Sequence, residues 1–245
     1  MCGRYASFRQ AQAIADSFDV VEISDEADAV PPSFNVAPTQ PVRILLERPL
    51  PDGGDDPLAR RAFRREMHAA RWGLVPGWAA DPSVGARMIN ARAETVADKR
   101  AFAKSLATRR CVVPADGYYE WRRDPAGGKT PHFVHGDDAA PLALAGLYAF
   151  WRDPAKPEDD PGRWLMSTTI LTRAARPELA YLHDREPVML GPDAVHDWLD
   201  PTVTSGVEAL AVLGSARPGV ELHAVDAKVG NVRNDSPALI EPVHR

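Results

Sequence analysis

Position 2 of the 245-residue chain is a cysteine directly behind the initiator methionine. A methionine followed by a small residue is normally trimmed from a new chain, and trimming leaves Cys2 with a free α-amine beside its thiol. An α-amine titrates at ~7.7–8.0 and a thiol at ~8.5, so both are partly nucleophilic near neutral pH. Such a 1,2-aminothiol has distinctive chemistry toward aldehydes. The amine forms an imine, and the thiol then closes a five-membered thiazolidine ring. An interior cysteine cannot do this, because its nitrogen is an amide.

A Met-Cys start alone is also compatible with a small residue at a frayed terminus, so the reading needs partners elsewhere. Asn90 lies in MINARAET with Arg92 two residues on, and on a strand those two share a face. Glu120 lies in CVVPADGYYEW between Tyr119 and Trp121. A carboxyl group among aromatic residues is readily desolvated, which suits it to acid–base work, although a cross-strand ion pair would use it equally well. His183, in LAYLHDREPVML, is placed between a short helix and a strand. Imidazole is the natural proton carrier near neutral pH. The other six histidines (His68, His132, His135, His196, His223 and His244) have no such setting and read as surface or packing residues.

The elements that must hold these groups are short. Helical spacing is expected over 9–18, 97–108, 176–181, 193–199 and 204–213. Strands are expected over 42–47, 64–72, 132–135, 142–151, 164–172, 188–190 and 221–225, with a loop over 22–33 and a turn over 49–57. Residues 111–121 read as two strands broken at Asp116-Gly117, and the polar stretch 153–163 as an insertion between neighbouring strands. Many short strands among short helices, without βαβ alternation, predict an α+β fold with a mostly antiparallel sheet.

Composition narrows the function classes. Proline is frequent, 23 of 245 residues against a usual ~5%, which argues against a long-helix bundle. The run 142–151 is too short for a membrane span, which takes ~20 residues, and no apolar leader follows Met1. Two cysteines, Cys2 and Cys111, make a disulfide framework improbable and predict a reducing, cytoplasmic setting; with no CxxC or HxxxH spacing they predict no zinc site. Cys111 is expected to act as a small apolar strand residue. The net charge of −5 excludes a uniformly basic nucleic-acid binder. Between Arg60 and Arg110, however, twelve basic residues face four acidic ones, a local +8 that leaves −13 for the rest. This asymmetry permits a phosphate-attracting face, or merely solvated helix and strand faces.

Eight blocks stand in a fixed order: MCGRYA, FNVAPTQ, WGLVPGWA, INARAET, RCVVPADGYYEW, STTILT, HDREPV and GNVRN. In this order they resemble the SOS-response-associated peptidase (SRAP) family of abasic-site-crosslinking proteins over nearly the whole chain. The resemblance implies one compact domain over 1–234, with curved, mostly antiparallel sheets around a barrel-like core, flanking short helices and a C-terminal tail over 235–245. It implies a monomer acting on single-stranded DNA without a cofactor. By resemblance, Cys2 is the nucleophile that forms a thiazolidine with the ring-opened aldehyde of an abasic site. Asn90 orients the reacting groups, Glu120 is the active-site glutamate, and His183 serves sugar ring opening and crosslink reversal. Arg4, Asn35, Arg92 and Arg185 match residues that hold the cysteine loop or the DNA backbone, and Pro38 and Trp78 match residues lining the strand's path.

Two departures from the family pattern carry expectations. Ala79 stands where relatives often carry a second aromatic, predicting weaker stacking there. Glu186 stands where a neutral or basic residue is common, predicting weaker local phosphate attraction. The rival reading is a cysteine-type (auto)peptidase using Cys2 with His183 and Glu120 or Asn90.

Overall fold

The Asp116-Gly117 break does divide two strands, and the two belong to different sheets. The computed structural model describes residues 2–49, 63–124, 126–137, 140–214 and 217–243. Met1, the turn expected over 49–57 beyond Pro49, His244 and the basic residues Arg60 and Arg61 lie outside the described residues. In chain order the first elements are β1 (Tyr5–Ser7), α1 (Ala11–Ser17), β2 (Glu22–Ile23), α2 (Asp25–Asp28), β3 (Ser33–Val36), β4 (Pro41–Pro49) and β5 (Phe63–Trp72). Then come β6 (Asn90–Arg92), α3 (Ala103–Thr108), β7 (Arg110–Ala115), β8 (Gly117–Arg123), β9 (Lys129–Gly136), β10 (Leu142–Arg152) and β11 (Trp164–Ala174). The chain closes with β12 (Arg185–Pro187), β13 (Met189–Leu190), α4 (Pro192–Leu199), α5 (Gly206–Val212) and β14 (Val220–Ala224).

Strands β11, β10, β7, β4 and β5 pair antiparallel in that order, and β5 returns to β11 to close a barrel. A ring with an odd number of strands cannot alternate direction all the way round. The closing pair is accordingly parallel, with Ser167 opposite Arg71 and Thr168 opposite Trp72. Closure removes the unpaired edges that an open sheet would present. β6 adds a second parallel pairing on β11, with Asn90 opposite Ile170 and Arg92 opposite Thr172. A separate five-stranded sheet runs β14–β9–β8–β1–β3, and β1 brings the Cys2 end of the chain against β8. The α+β, barrel-centred architecture is therefore as expected, with parallel pairs where closure and β6 require them. Among the described residues no helix is long and apolar enough to cross a membrane.

Three local expectations are corrected, and the described part of the tail is placed. The acidic stretch 22–33 is not a plain loop. Ser24 caps α2 by accepting from the Ala27 N–H at 3.2 Å, and Asp25 and Glu26 complement its N-terminus. The helix expected over 97–108 begins only at Ala103. Before it, Thr95, Asp98 and Phe102 each donate to the carbonyl three residues back, a series of tight turns that displays Lys99 and Arg100. Residues 176–181 form turns rather than a helix, pinned by burial of Leu179 and Leu182. The tail expected from 235 docks onto the domain: Leu239 is buried, Ile240 O accepts from His223 Nε2 at 2.7 Å, and Val243 N donates to Ala224 O.

Two glycines let the WGLVPGW block turn away from the barrel. Gly73 has φ +123°, a conformation that side chains rarely adopt, and a Cβ there would stand 2.5 Å from Gly85 O. This close approach seats the short 3-10 turn Pro82–Arg87 against the end of β5 and leads directly into β6.

Candidate active site and nucleic-acid interface

Cys2 is fully buried, in a cluster that includes Tyr5, Trp72 and Tyr118. Its backbone carbonyl accepts a 2.7 Å hydrogen bond from Asn90 Nδ2 on β6. The other atom of that amide, Asn90 Oδ1, is buried with no partner among the described residues. An acceptor buried without a donor is costly, so it is poised for an N–H or O–H that arrives with the reacting groups. Burial and the nearby Glu120 push the Cys2 thiol up to about 12.

Arg4 and Asn35 build the wall behind this cysteine. Arg4 Nη1 donates to Asn35 Oδ1 and to Val229 O, both at 2.8 Å. Asn35 Nδ2 donates to Asn234 O at 2.7 Å and Asn231 O at 3.1 Å, which ties down the GNVRN block. Asn35 is 2% exposed, so its side chain is spent inside the protein rather than on a DNA phosphate.

β8 supplies Tyr118 and Glu120 on one face, two residues apart, with Glu120 opposite His132 on β9. Glu120 is buried, and one carboxylate oxygen accepts from the Trp121 N–H at 3.2 Å. The Tyr118 phenol is pushed well above 10 by burial, and further by Cys2, Glu186 and Glu120. His183 closes the turn before β12 and shares a cavity of about 400 Å³ with Glu120, Trp121, Arg123, Lys129 and Gly230. Its Nδ1 meets two partners: Arg185 N–H at 3.1 Å and Asp184 Oδ1 at 2.6 Å. A neutral ring accepts from the first, and a protonated ring donates to the second. The ring thus has a partner in either state, as a proton carrier needs.

Asn90 itself lines a second cavity, of about 640 Å³. Arg87, Arg92, Lys99 and Arg100 line it, and no acidic residue does. Trp78 stands in it 54% exposed, with the Arg100 guanidinium 5.2 Å from the ring centre. An exposed tryptophan among unopposed cations can stack a base while the cations hold its phosphates. Arg92 is exposed, and its side chain has no partner among the described residues. Pro38 is half-buried at the turn between β3 and β4, ahead of Thr39 in the left-handed region (φ 74°).

Two residues expected to face DNA are committed elsewhere. The Arg185 fork grips Glu94 with bonds of 2.7 and 2.8 Å, and Nη2 also donates to Thr172 O at 2.7 Å. Arg185 therefore fastens the turn after β6 to β11 and β12. Glu186 is no surface acid repelling phosphate. Its side chain is completely buried and takes ion pairs from Arg173, Arg176 and Arg217. Sequence reasoning missed this cluster and Tyr118, and it reached Arg87, Lys99 and Arg100 only as members of the basic stretch 60–110. The alternation in GYYEW was the available signal for Tyr118.

The Arg185 bonds hold the Glu94 carboxyl well down, at about 2 against an ordinary 4.5. A depressed carboxylate stabilises the fold in full above its unfolded value, progressively less below about 4.5, and not at all below about 2. Glu94 is half exposed, so the effect is small. The stability gap between wild type and Glu94→Gln is expected to be flat above pH 4.5 and to narrow on acidification. Chemical denaturation at several pH values checks this, and a gap that ignores pH rules the ion pair out as its source.

The family described as SOS response associated peptidase (SRAP) matches residues 1–232. Abasic site processing protein YoqW of Bacillus subtilis is 34% identical over 242 residues, covering 98% of this chain and 99% of its own. Abasic site processing protein YedK of Escherichia coli is 32% identical over 252 residues, covering 99% and 100%. Abasic site processing protein HMCES of Gallus gallus is 31% identical over 235 residues, covering 86% of this chain and 66% of its own. A crystal structure of a protein from Bacteroides thetaiotaomicron superposes with a TM-score of 0.78 at 21% identity, covering 99% of this chain and 100% of that one. A family match along nearly the whole length, on a shared fold, has one meaning: this chain belongs to the SOS response associated peptidase family.

Proposed function

We propose that this protein processes abasic sites in single-stranded DNA by capturing them covalently through Cys2 once Met1 is removed. The observation that carries the reading is the seat of Cys2. Its carbonyl is held by Asn90, which lines the cationic, tryptophan-bearing cavity, and its thiol lies within the field of Glu120, which lines the cavity with His183. The names of the relatives point to the same lesion.

The chemistry runs in balanced steps. An abasic sugar is mostly a closed hemiacetal, and opening it moves one proton off the anomeric hydroxyl and one onto the ring oxygen, work for His183 or Glu120. The neutral Cys2 amine adds to the aldehyde carbon to give a carbinolamine. Glu120 protonates the departing hydroxyl, and water leaves as the imine forms. The Cys2 sulfur then adds to the imine carbon while its proton passes to the nitrogen, closing the thiazolidine. Asn90 Oδ1, lacking a donor, receives the amine or a sugar hydroxyl. Positioning of this kind is worth effective molarities of ~10⁵ M or more when geometry is good.

The thiol is what separates this reading from the cysteine-peptidase reading with His183 and Glu120 or Asn90. A peptidase nucleophile needs its thiol lowered by a neighbouring cation. Here burial and a carboxylate push the thiol up to about 12. An amine-first route needs no thiolate, because the sulfur enters last and delivers its proton to the nitrogen. The protein acts as a cytoplasmic monomer on this reading, and intact mass spectrometry with and without an abasic oligonucleotide tests it. The expected result is a mature chain lacking Met1 and a one-to-one adduct. A chain that keeps Met1 and still captures lesions fully overturns it.

Arg92 is the best placed phosphate contact in the cationic cavity. Arg92→Ala is expected to weaken noncovalent binding and to lower the salt slope by about 0.7 for one lost single-strand contact. Titration of a labelled oligonucleotide at several salt concentrations measures it, and an unchanged slope removes Arg92 from the interface.

A further inference from the structure

An abasic residue inside a strand has a phosphodiester on each side, so a strand that enters the site must also leave it. The cationic cavity with Trp78 is lined by Asn90, which holds the Cys2 carbonyl. The cavity holding His183 is lined by Glu120, whose charge acts on Cys2, shares no lining residue with the first, and contains two cations, Arg123 and Lys129. These two sit directly opposite each other across β8 and β9. Like charges facing across a strand pair repel, so the arrangement is unfavourable unless an anion lies between them. Both are exposed, and neither side chain has an ion pair or hydrogen bond to a described residue. Their neighbour Arg122, by contrast, is spent on Asp124 at 3.1 Å.

We infer that Arg123 and Lys129 form a second phosphate clamp, which holds the backbone of the DNA strand on the far side of the lesion from the Trp78 cavity. This rests on the proposal that the site receives an abasic strand. The strand is then gripped at both exits from the pocket, and the damaged sugar is drawn across Cys2 between them. Each clamp reads one flank only, so the two flanks of the lesion contribute separately to binding.

The test uses the double variant Arg123→Gln, Lys129→Gln, which removes a repulsive exposed pair and leaves the fold intact. The probes are single strands carrying an unreactive tetrahydrofuran abasic analogue. One has nucleotides on both sides, one only on the 5′ side, and one only on the 3′ side. Noncovalent binding is read against salt. The variant is expected to lose about tenfold in affinity for the two-sided strand and for one of the one-sided strands, with the other unchanged. Its salt slope on the affected strands should fall by about 1.4, two single-strand contacts at ~0.7 each. Equal losses on both one-sided strands, or unchanged slopes throughout, overturn the clamp. A parallel arm with a reactive abasic strand separates the two ideas. Failure of the wild type to form an adduct, with the one-sided loss intact, overturns the covalent chemistry and leaves the clamp standing.

Discussion

Cys2→Ala is expected to abolish the denaturation-resistant adduct with abasic single-stranded DNA. Alanine keeps the α-amine, so an imine still forms, but imine formation is reversible and nothing closes the ring. Loss of the stable adduct should therefore be complete on a denaturing gel, while noncovalent binding changes little. Cys2→Ser separates amine from sulfur more finely. It is expected to yield at most a transient imine, seen only when borohydride reduces it in place. Cys111→Ser is the matched control. That residue is also fully buried, packed against Gly146 with its sulfur 3.4 Å from Thr168 Oγ1, and its nitrogen is an interior amide. Adduct at the wild-type level from Cys2→Ala excludes Cys2 as the attachment point. A stable adduct from the serine variant counts against ring closure by sulfur.

Glu186→Gln should cost about 3–5 kcal/mol of stability, the range for breaking a buried ion pair from one side. Its two oxygens serve Arg173 at 3.2 Å, Arg176 at 2.9 Å and Arg217 at 2.9 Å. Arg176 also donates from its backbone N–H to the same carboxylate and from Nη1 to Pro218 O, while Arg173 Nη1 reaches Leu213 O. One carboxylate thus ties β12 to β11, to the turns that lead to His183 and to the segment after α5. Removing its charge leaves three guanidinium groups facing one another, and the Nη2 atoms of Arg173 and Arg176 already lack partners among the described residues. A clear drop in the denaturant midpoint is expected, with slower lesion capture in whatever fraction remains folded, because the His183 turn loses its anchor. An unchanged midpoint would return Glu186 to the role of a dispensable acid.

The contrast between Glu186 and Glu120 shows where sequence reasoning stops. Both are glutamates in strand-like blocks. Glu120 was recognisable because its own neighbours, Tyr119 and Trp121, are aromatic and predict desolvation. Glu186 looked like a surface departure because its partners lie 10, 13 and 31 residues away and nothing local announces them. Arg185 misled in the same way. A basic residue beside His183 invites a DNA contact, but Glu94, 91 positions earlier, occupies its fork. Strand positions are legible where short apolar runs stand out, as in β4 and β10. The segment before Ala103 was read as helix because composition reports propensity and is blind to the tertiary groove that favours turns.

The chain's own order of residues determined the candidate inventory: a cysteine at position 2, an asparagine and arginine sharing a strand face, a glutamate among aromatics and a histidine at a turn. It also determined the α+β class, since short alternating runs cannot build anything else economically. Tertiary structure alone decided which cations are free to meet phosphate and which are neutralised inside. Charge is a property of the residue, whereas its availability depends on what the folded chain brings within a few ångströms of it.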